Sequence, residues 1–359
     1  MGGFDMTKYS IAITEGDGIG PEITAEVVKV LKKITETDGV EFEFVDAPSG
    51  GAAYKKYGNA LPDDTLKIYR DCDAIFKAPV GVPDLPPGLI EHEAILRARQ
   101  ALDLYVNLRP AKIYPGMGNI SPLKDRVIAQ GFDVTIVREN SEGLYSRRGT
   151  KTADRATDES VFTKKGVDRI IRYAFDYAKK AGKTKVTSVD KANILFSSQF
   201  WRVRFEEISK EYPEIQTESI YVDAMSQYLI RCPERYQVIV TDNMFGDILS
   251  DETAQIVGSL GLCAGANINP DTKVGMFEPI HGSAPDIAGK GIANPISAIL
   301  SAAMMLDFLG QPKSAKKVEW AVEKALADGC RTGDIAQGMP WLSTSKFGDE
   351  IVKRINKGG

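Results

Sequence analysis

The most chemically suggestive pair of side chains is Asp247 and Asp251, in the stretch NMFGDILSD that begins at Asn243. On a helix, a spacing of four residues places both carboxylates on one face, where like charges repel. A bound cation would relieve that repulsion, and a solvated acidic face is the alternative. With two histidines in the sequence and no CxxC pair, we expect oxygen ligands, which suit Mg²⁺ or Mn²⁺.

Lys191, in SVDKANIL, follows an apolar run that we expect to be a strand. Ligands bind at the carboxyl ends of parallel strands. A lysine desolvated there can act as a base. A structural ion pair with Asp190 or another neighbour is the alternative.

Three arginines, Arg99, Arg109 and Arg138, form a third group. A guanidinium binds a carboxylate through two parallel hydrogen bonds, so three arginines could hold a dicarboxylic acid. Each could instead lie on the surface or in an ion pair. Tyr145 follows Arg138 closely and could be an acid or a packing residue.

A loop of small residues, FEPIHGSAPDIAGKGIANP, runs from Phe277 to Pro295. Such residues would let the backbone approach a flat ligand. Asp286 could accept hydrogen bonds from ribose hydroxyls and would repel a 2′-phosphate. A structural Ω-loop is the alternative.

The stretch EGDGIGPEIT resembles a nucleotide-binding turn without matching it. Gly16 and Gly18 fit G-x-G-x-x-G, but Gly20 comes one residue early and Pro21 takes its place. Pro21 suits the first helical position, and Glu22 suits the first turn. We predict a strand-to-helix turn outside the Rossmann pattern.

Short apolar runs alternate with amphipathic segments, which predicts an α/β fold with a largely parallel sheet. Strands are expected at Ile11–Ile13, Asp73–Phe76, Val134–Val137, Lys185–Val189 and Tyr236–Thr241, and helices at Thr24–Thr35, Val167–Ala181 and Ile296–Leu309, the last in the core or an interface. Candidate boundaries at 108–116 and 258–269 divide the chain into two domains, 1–107 with 265–359, and 108–264.

Composition narrows the function classes. The 359 residues are 43% hydrophobic and 26% charged, with a net charge of −4, as in ordinary globular proteins. Without a basic excess, nucleic acid is not an expected partner. No apolar run has membrane-spanning length, and the first residues lack a signal-peptide core. The four scattered cysteines fit a reducing compartment, so we expect a cytoplasmic protein with no membrane contact.

In their order along the chain, GDGIGPE, LRARQALDLYVNLRP, VRENSEGLY, SVDKANIL, YVDAM, NMFGDILSD and HGSAPDIAG resemble the motifs of the β-decarboxylating hydroxyacid dehydrogenases. This family acts on 3-isopropylmalate, isocitrate, homoisocitrate, tartrate and D-malate. The resemblance runs from about Tyr9 to about Gly310. It implies an isopropylmalate-dehydrogenase-like two-domain fold, not a Rossmann fold. It also implies a homodimer, or a larger oligomer, whose subunits share active sites.

The resemblance assigns roles to the candidate residues. The metal, Mg²⁺ or Mn²⁺, would be held by Asp247, Asp251 and the partner subunit's Asp223. Lys191, also from the partner, would help remove the hydroxyl proton, and Tyr145 would protonate the enol formed after loss of CO₂. The metal would chelate the substrate and stabilise the enolate. Residues expected to bind the substrate are Arg99, Arg109, Arg138, Ile95 and Leu96.

The same resemblance implies a nicotinamide cofactor. NADP-using isocitrate enzymes carry lysine and tyrosine where this chain has Asp286 and Ile287. A carboxylate near the ribose favours NAD instead. Residues expected to bind the cofactor are Asn193, His281, Gly282, Ser283, Ala284, Asp286, Ile287 and Asn294.

Substrate choice in the family depends on the segment before Arg99. Isocitrate enzymes place serine and asparagine where this chain has Glu93 and Ile95. Glu93 would repel a third carboxylate of the substrate, and Ile95 could not form a hydrogen bond with it. Ile95 and Leu96 suit an isopropyl group, which favours 3-isopropylmalate and leucine biosynthesis. Arg97 and VGVPD are more typical of the tartrate/D-malate branch, which stays the alternative, followed by isocitrate and homoisocitrate. A non-catalytic regulatory homologue is disfavoured because the lysine, tyrosine and aspartates are all present.

Overall fold

The computed structural model describes residues 7–86 and 88–356, apart from the side chain of Glu91. The strands are β1 (Thr7–Thr14), β2 (Val40–Asp46), β3 (Ala74–Lys77), β4 (Val106–Lys112), β5 (Asp133–Glu139), β6 (Gly149–Lys151), β7 (Ala156–Asp158), β8 (Lys185–Asp190), β9 (Gln216–Tyr221), β10 (Val238–Thr241), β11 (Ala264–Asn269) and β12 (Val274–Pro279).

The α-helices are α1 (Gly20–Asp38), α2 (Gly51–Tyr57), α3 (Asp63–Asp71), α4 (Arg97–Ala101), α5 (Asp125–Ile128), α6 (Lys164–Lys180), α7 (Phe196–Ser209), α8 (Val222–Arg231), α9 (Asn243–Val257), α10 (Ile296–Phe308), α11 (Pro312–Ala327) and α12 (Thr344–Ile355). A π-helix covers Glu91–Leu96. Single 3₁₀ turns lie at Gly118–Ile120, Gly143–Ser146, Pro233–Arg235, Leu260–Leu262 and Gly333–Ile335. None of the helices in the described residues combines the length and apolar character that a membrane crossing needs.

The described chain forms two compact units. The first takes in the residues up to Leu102, Tyr114–Ile120 and those from Gly258 onward, and the second takes in Asp103–Ile113 and Ser121–Val257. The chain therefore enters the second unit after Leu102, passes through the first unit again at Tyr114–Ile120, completes the second unit and returns at Gly258.

The first unit is built on strands in the order β2-β1-β3-β12-β11, parallel except for the pair β11–β12. Helix α10 packs on β3, β11 and β12 and buries ten of its thirteen residues. A helix that is apolar all round belongs in a core. The predicted helix Ile296–Leu309 is thus confirmed as core packing.

In the glycine turn between β1 and α1, the backbone packs directly against the backbone of Ser283. Gly16 and Gly18 have φ of +67° and +59°, a region that suits glycine. A Cβ on Gly18 would lie 1.9 Å from the carbonyl oxygen of Ser283, and the N–H of Ile19 donates to that same oxygen at 2.8 Å. The turn therefore fixes the start of the small-residue loop that follows β12.

The second unit is built on strands in the order β4-β5-β10-β8-β9, with only β4–β5 antiparallel among these pairs. Thr241, the last residue of β10, pairs with Arg138 on β5 and with Val189 on β8. Three parallel strands therefore end side by side, and α9 begins just after β10. Strands β6 and β7 form a separate antiparallel hairpin.

Candidate active site

Arg138, near the end of β5, lies at the centre of the second unit's polar cluster. Its Nε and Nη2 donate to Oδ1 of Asn243 at 3.0 and 2.7 Å, and its Nη1 donates to Oδ1 of Asp247 at 2.5 Å. The side chain is almost fully buried. The first turn of α9 is therefore built around this guanidinium group.

Tyr145 shares Asp247 with Arg138. Its hydroxyl donates to Oδ2 of Asp247 at 3.2 Å, and its ring centroid lies 5.7 Å from Cζ of Arg138. Desolvation, with the neighbouring charge of Asp247, raises the pKa of Tyr145. The phenol is therefore a proton donor at neutral pH.

Asp251 lies one helical turn beyond Asp247 on α9, as predicted. Desolvation raises the pKa of Asp251, the charge of Arg109 opposes this rise, and the charge of Asp247 adds to it. Arg109, on β4, donates from Nε to Oδ1 of Asn107 at 2.9 Å. Two arginines and two aspartates thus come together at the end of this sheet.

This carboxylate pair has the donor atoms that Mg²⁺ or Mn²⁺ prefers. Within the described part of the chain, no three acidic, histidine or cysteine residues come close enough to share a metal ion. A metal bound by Asp247 and Asp251 would need its further ligands from substrate, water or a second copy of the chain.

Lys191 lies elsewhere in the second unit, just after β8. Its Nζ donates to Oδ1 of Asp223 at 2.6 Å, and this bond holds the pKa of Asp223 below its ordinary value. Asp190 instead accepts from Nε and Nη2 of Arg202, both at 2.8 Å. The ion pair of Lys191 is therefore with Asp223. Asn193 is exposed in the turn that follows.

The third arginine, Arg99 on α4, belongs to a buried network in the first unit. Its Nη2 donates to Oε1 of Glu278 at 2.9 Å, and Asn267 donates to the same oxygen at 2.7 Å. Lys77 pairs with Oε2 of Glu278 at 3.4 Å. Burial lowers the pKa of Lys77, against the opposing charge of Glu278.

Ile95 and Leu96 end the π-helix that leads into α4. Ile95 packs against an apolar cluster, and Leu96 is half-buried. π-Helical turns are rare in proteins, and many of those that occur lie at functional sites. The buried members of the cluster are Ala60, Val80, Ile90 and Ala94.

The two charged neighbours of this pair are held by backbone groups. Glu93 accepts from the N–H of Ala60 at 3.1 Å, so its carboxylate already has a partner. Arg97 donates to the carbonyl oxygen of Leu61 at 2.7 Å and pairs with Asp63 at 2.6 Å. Because both side chains already have partners within the protein, their charges do not indicate which substrate binds.

The small-residue loop after β12 contains a buried polar atom without a partner. Nδ1 of His281 lies 3.0 Å from the carbonyl oxygen of Gly282, whereas its Nε2 is buried with no hydrogen-bond partner in the described residues. Burial lowers the pKa of His281. Apart from Gly282 and its two chain neighbours, no atom of the described residues lies within 4 Å of a Cβ placed on Gly282. A neutral imidazole beside open backbone fits a hydrogen-bonding ligand such as a nucleotide.

The next residues of this loop, beginning with Ser283, are fixed by hydrogen bonds to other segments of the first unit. Ser283 donates from Oγ to the carbonyl oxygen of Gly81 at 2.8 Å, and Ala284 has a φ of +40°. Ile287 is half-buried and Asp286 is exposed. Strain at a non-glycine residue is typical of ligand-binding segments.

Asn294 anchors the end of the loop. Its Oδ1 accepts from the N–H of Ile296 at the start of α10, at 3.0 Å. Its Nδ2 donates to Oδ2 of Asp334 at 3.1 Å. The structure thus gives Asn294 a loop-positioning role.

A sequence model of the family described as "Isocitrate/isopropylmalate dehydrogenase" matches residues 10–351. The chain belongs to this family. A 3-isopropylmalate dehydrogenase of Xanthomonas euvesicatoria is 46% identical over 98% of this chain and 100% of its own length. One of Aquifex aeolicus is 44% identical over 98% of each. A solved isocitrate dehydrogenase of Methylococcus capsulatus is 42% identical, with a TM-score of 0.87 over 97% of this chain and 99% of its own.

The family and fold predictions are therefore confirmed, and the chain is a member of a family of decarboxylating dehydrogenases. The sequence did not reveal the polar residues that hold the arginines, or the residues that hold the carboxylate partner of Arg99. Lys77 and Glu278 each end a short apolar run, AIFK and MFE, and such an isolated charge indicates a buried polar partner. The missed residues are Asn107, Asn243, Asn267, Lys77 and Glu278.

Proposed function

We propose that this dehydrogenase oxidises 3-isopropylmalate with NAD and decarboxylates the product to 2-oxoisocaproate, a step of leucine biosynthesis. The observation that carries the proposal is the cluster of Arg138, Asp247 and Tyr145. It joins a carboxylate-binding group, a metal-binding group and a proton donor within hydrogen-bond distance. Full-length relatives at 44–46% identity are named 3-isopropylmalate dehydrogenases, which supports this substrate.

The substrate carboxylates are proposed to bind the guanidinium groups of Arg138 and Arg109. The family motif supports the same role for Arg99. Ile95 and Leu96 are proposed to contact the isopropyl group, and burying its methyl groups would contribute roughly 0.8 kcal/mol per carbon. Tyr145 is proposed to deliver a proton to the enol carbon, since its hydroxyl is protonated at neutral pH.

Two groups that the enzyme needs would be bound from solution. Asp247 and Asp251 would hold Mg²⁺ or Mn²⁺, which supplies a Lewis acid for the decarboxylation. NAD, when bound, would supply the hydride acceptor. His281 and Asp286 are proposed to bind its adenosine half, with Asn193 at the nicotinamide; the other residues proposed to line the cofactor are Gly282, Ser283, Ala284, Ile287 and Asn294.

We infer a homodimer in which Lys191 and Asp223 serve the partner's site. Two observations support this. Lys191 and Asp223 pair with each other instead of joining Asp247 and Asp251. Large apolar side chains of the same unit are also exposed to solvent in the single chain, and an interface between two copies would bury them. They are Ile194 (68% exposed), Phe196 (88%), Val203 (51%), Ile230 (56%) and Ile248 (57%).

The domain roles follow from these assignments. We propose that residues 1–107 and 265–359 bind the cofactor. Residues 108–264 are proposed to bind the metal and most of the substrate and to form the dimer. The small-residue loop lies in the first compact unit, and the cluster of Arg138, Asp247 and Tyr145 lies in the second.

Isocitrate is the second candidate substrate. A solved isocitrate dehydrogenase of nearly the same length is 42% identical to this chain.

The first test is turnover itself, followed as NADH and CO₂ formation with Mn²⁺ present. We expect Lys191→Ala to lower kcat by about 10²- to 10⁴-fold, the usual range for an acid–base group, while NAD still binds. Lys210→Ala, an exposed lysine of the same unit, is the control. No turnover in the unaltered protein with any 2-hydroxy acid would indicate a regulatory homologue.

A further inference from the structure

Two of the arginines assigned to the substrate carboxylates are each held by a buried asparagine. Asn243 accepts two hydrogen bonds from Arg138, at 3.0 and 2.7 Å. Asn107 accepts one from Arg109, at 2.9 Å. Asn243 is 3% exposed and Asn107 is fully buried, so neither amide is a solvated surface group.

An amide oxygen and a carboxylate oxygen can both accept hydrogen bonds from a guanidinium group, but they differ in charge. A buried carboxylate would neutralise the arginine in a low-dielectric setting, where unit charges interact strongly. An amide accepts the same hydrogen bonds and leaves the positive charge intact. Burying an amide is costly unless it is paired, and here the guanidinium supplies the donor.

The carboxylates near these two arginines differ from the asparagines, because a bound metal ion could balance their negative charge. Arg138 is paired with Asp247 and feels the charge of Asp242, and Arg109 feels the charge of Asp251. Asp247 and Asp251 are the proposed metal ligands, so a bound cation would balance their charge. The asparagines are neutral whether or not the metal is bound.

The third arginine, Arg99, is also paired with a carboxylate, and that carboxylate has a second cationic partner. Glu278 serves both Arg99 and Lys77, so two cations face one carboxylate. Asn267 also donates to Glu278 and fixes its position. In the first unit, too, an arginine is oriented while positive charge remains, because one carboxylate serves two cations.

We propose that Asn243 and Asn107 are positioning residues. They orient the guanidinium groups of Arg138 and Arg109 and, being neutral, leave their charge available to the carboxylates of a 2-hydroxy diacid. This inference rests on the proposed function, because it presumes that these arginines bind the substrate.

The test replaces each asparagine by its charged isostere. Asn243→Asp and Asn107→Asp keep the acceptor oxygen and add a negative charge. We expect the Kd of 3-isopropylmalate, measured by calorimetry on the Mn²⁺-loaded dimer without NAD, to rise at least tenfold. The KM for the hydroxy acid should rise more than kcat falls, and the Kd of NAD should change less than twofold. Asn119→Asp, an exposed position in the first unit, controls for the added charge.

Three further measurements separate the outcomes. Arg138→Met should weaken substrate binding; if it does not, the proposed function of Arg138 fails. If Arg138→Met weakens binding and Asn243→Asp leaves the Kd within twofold, the positioning proposal alone is overturned. The Kd of Mn²⁺ is measured separately, and a substrate effect fully explained by weaker Mn²⁺ binding would also overturn it. Should Asn243→Asp not fold, Asn243→Ala removes the acceptor, and an unchanged substrate Kd would overturn the proposal.

Discussion

Helix α9 approaches Arg138 so closely that a Cβ on Gly246 would lie 2.6 Å from Cγ of Arg138 and 2.8 Å from its Cβ. Glycine within a helix costs about 1 kcal/mol relative to alanine. The close approach explains why a glycine stands here, because any side chain would displace the arginine stem.

We therefore expect Gly246→Ala to misplace the guanidinium of Arg138. The KM for the hydroxy acid should rise about tenfold or more, a loss of about 1.4 kcal/mol, with the KM for NAD unchanged. The control is Gly333→Ala, where a Cβ would lie at an ordinary 3.6 Å from Trp341. Unchanged kinetics in Gly246→Ala would show that the arginine moves without consequence.

Shared active sites predict complementation between two inactive variants. Lys191→Ala and Asp247→Asn should each be inactive alone. In a mixed dimer, one site combines the wild-type Asp247 of one chain with the wild-type Lys191 of the other. Co-expressed and purified through two different tags, the mixed dimer should recover roughly half of the wild-type kcat. Absence of recovery in a verified mixed dimer would place both residues in one subunit's site.

Asp286 is expected to select NAD, since its exposed carboxylate would repel a 2′-phosphate. In Asp286→Lys, the ratio of kcat/KM for NAD to that for NADP should fall by about tenfold or more. Asp271→Lys, an exposed acid of the same unit, should leave the ratio unchanged. Equal ratios in the two variants would remove Asp286 from the ribose site.

Glu139, next to Arg138, predicts a pH effect on stability. It is buried and accepts from the N–H groups of Ser141 and Glu142. Burial raises the pKa of Glu139 from 4.5 to about 7. The folded state therefore holds this proton to a higher pH than the unfolded state, and the free energy of unfolding falls as pH rises through that window.

Glu139→Gln removes this titration. Between pH 4.5 and 7.5, the wild type should lose about 3 kcal/mol of unfolding free energy relative to the variant. Urea unfolding across this range measures the difference, and the exposed Glu206→Gln serves as control. Parallel curves for wild type and Glu139→Gln would mean that Glu139 is ionised throughout.

Sequence patterns predicted what depends on local periodicity. All five expected strands are present, and so are the three expected helices. The spacing of Asp247 and Asp251 predicted that a helix would carry them on one face, and both residues lie on α9. The glycine turn was harder to interpret, because Gly18 is required by the backbone of Ser283 and Gly16 by that of Pro79, and both partners are distant in sequence.

Residues that act through tertiary partners could not be predicted in this way. Asn243 lies within a recognised motif, but its two bonds to Arg138 connect positions 105 residues apart. Glu278 joins Arg99, Lys77 and Asn267 from three separate segments. No local pattern encodes such pairings, although a charge in an otherwise apolar strand indicates that a buried partner exists.

The most direct test of the account compares kcat/KM for 3-isopropylmalate, isocitrate, D-malate and tartrate, with NAD and Mn²⁺. We predict that 3-isopropylmalate is preferred by about a hundredfold, because Ile95 and Leu96 offer an apolar contact and no partner for a third carboxylate. A preference for isocitrate, D-malate or tartrate of similar size would contradict the proposed substrate.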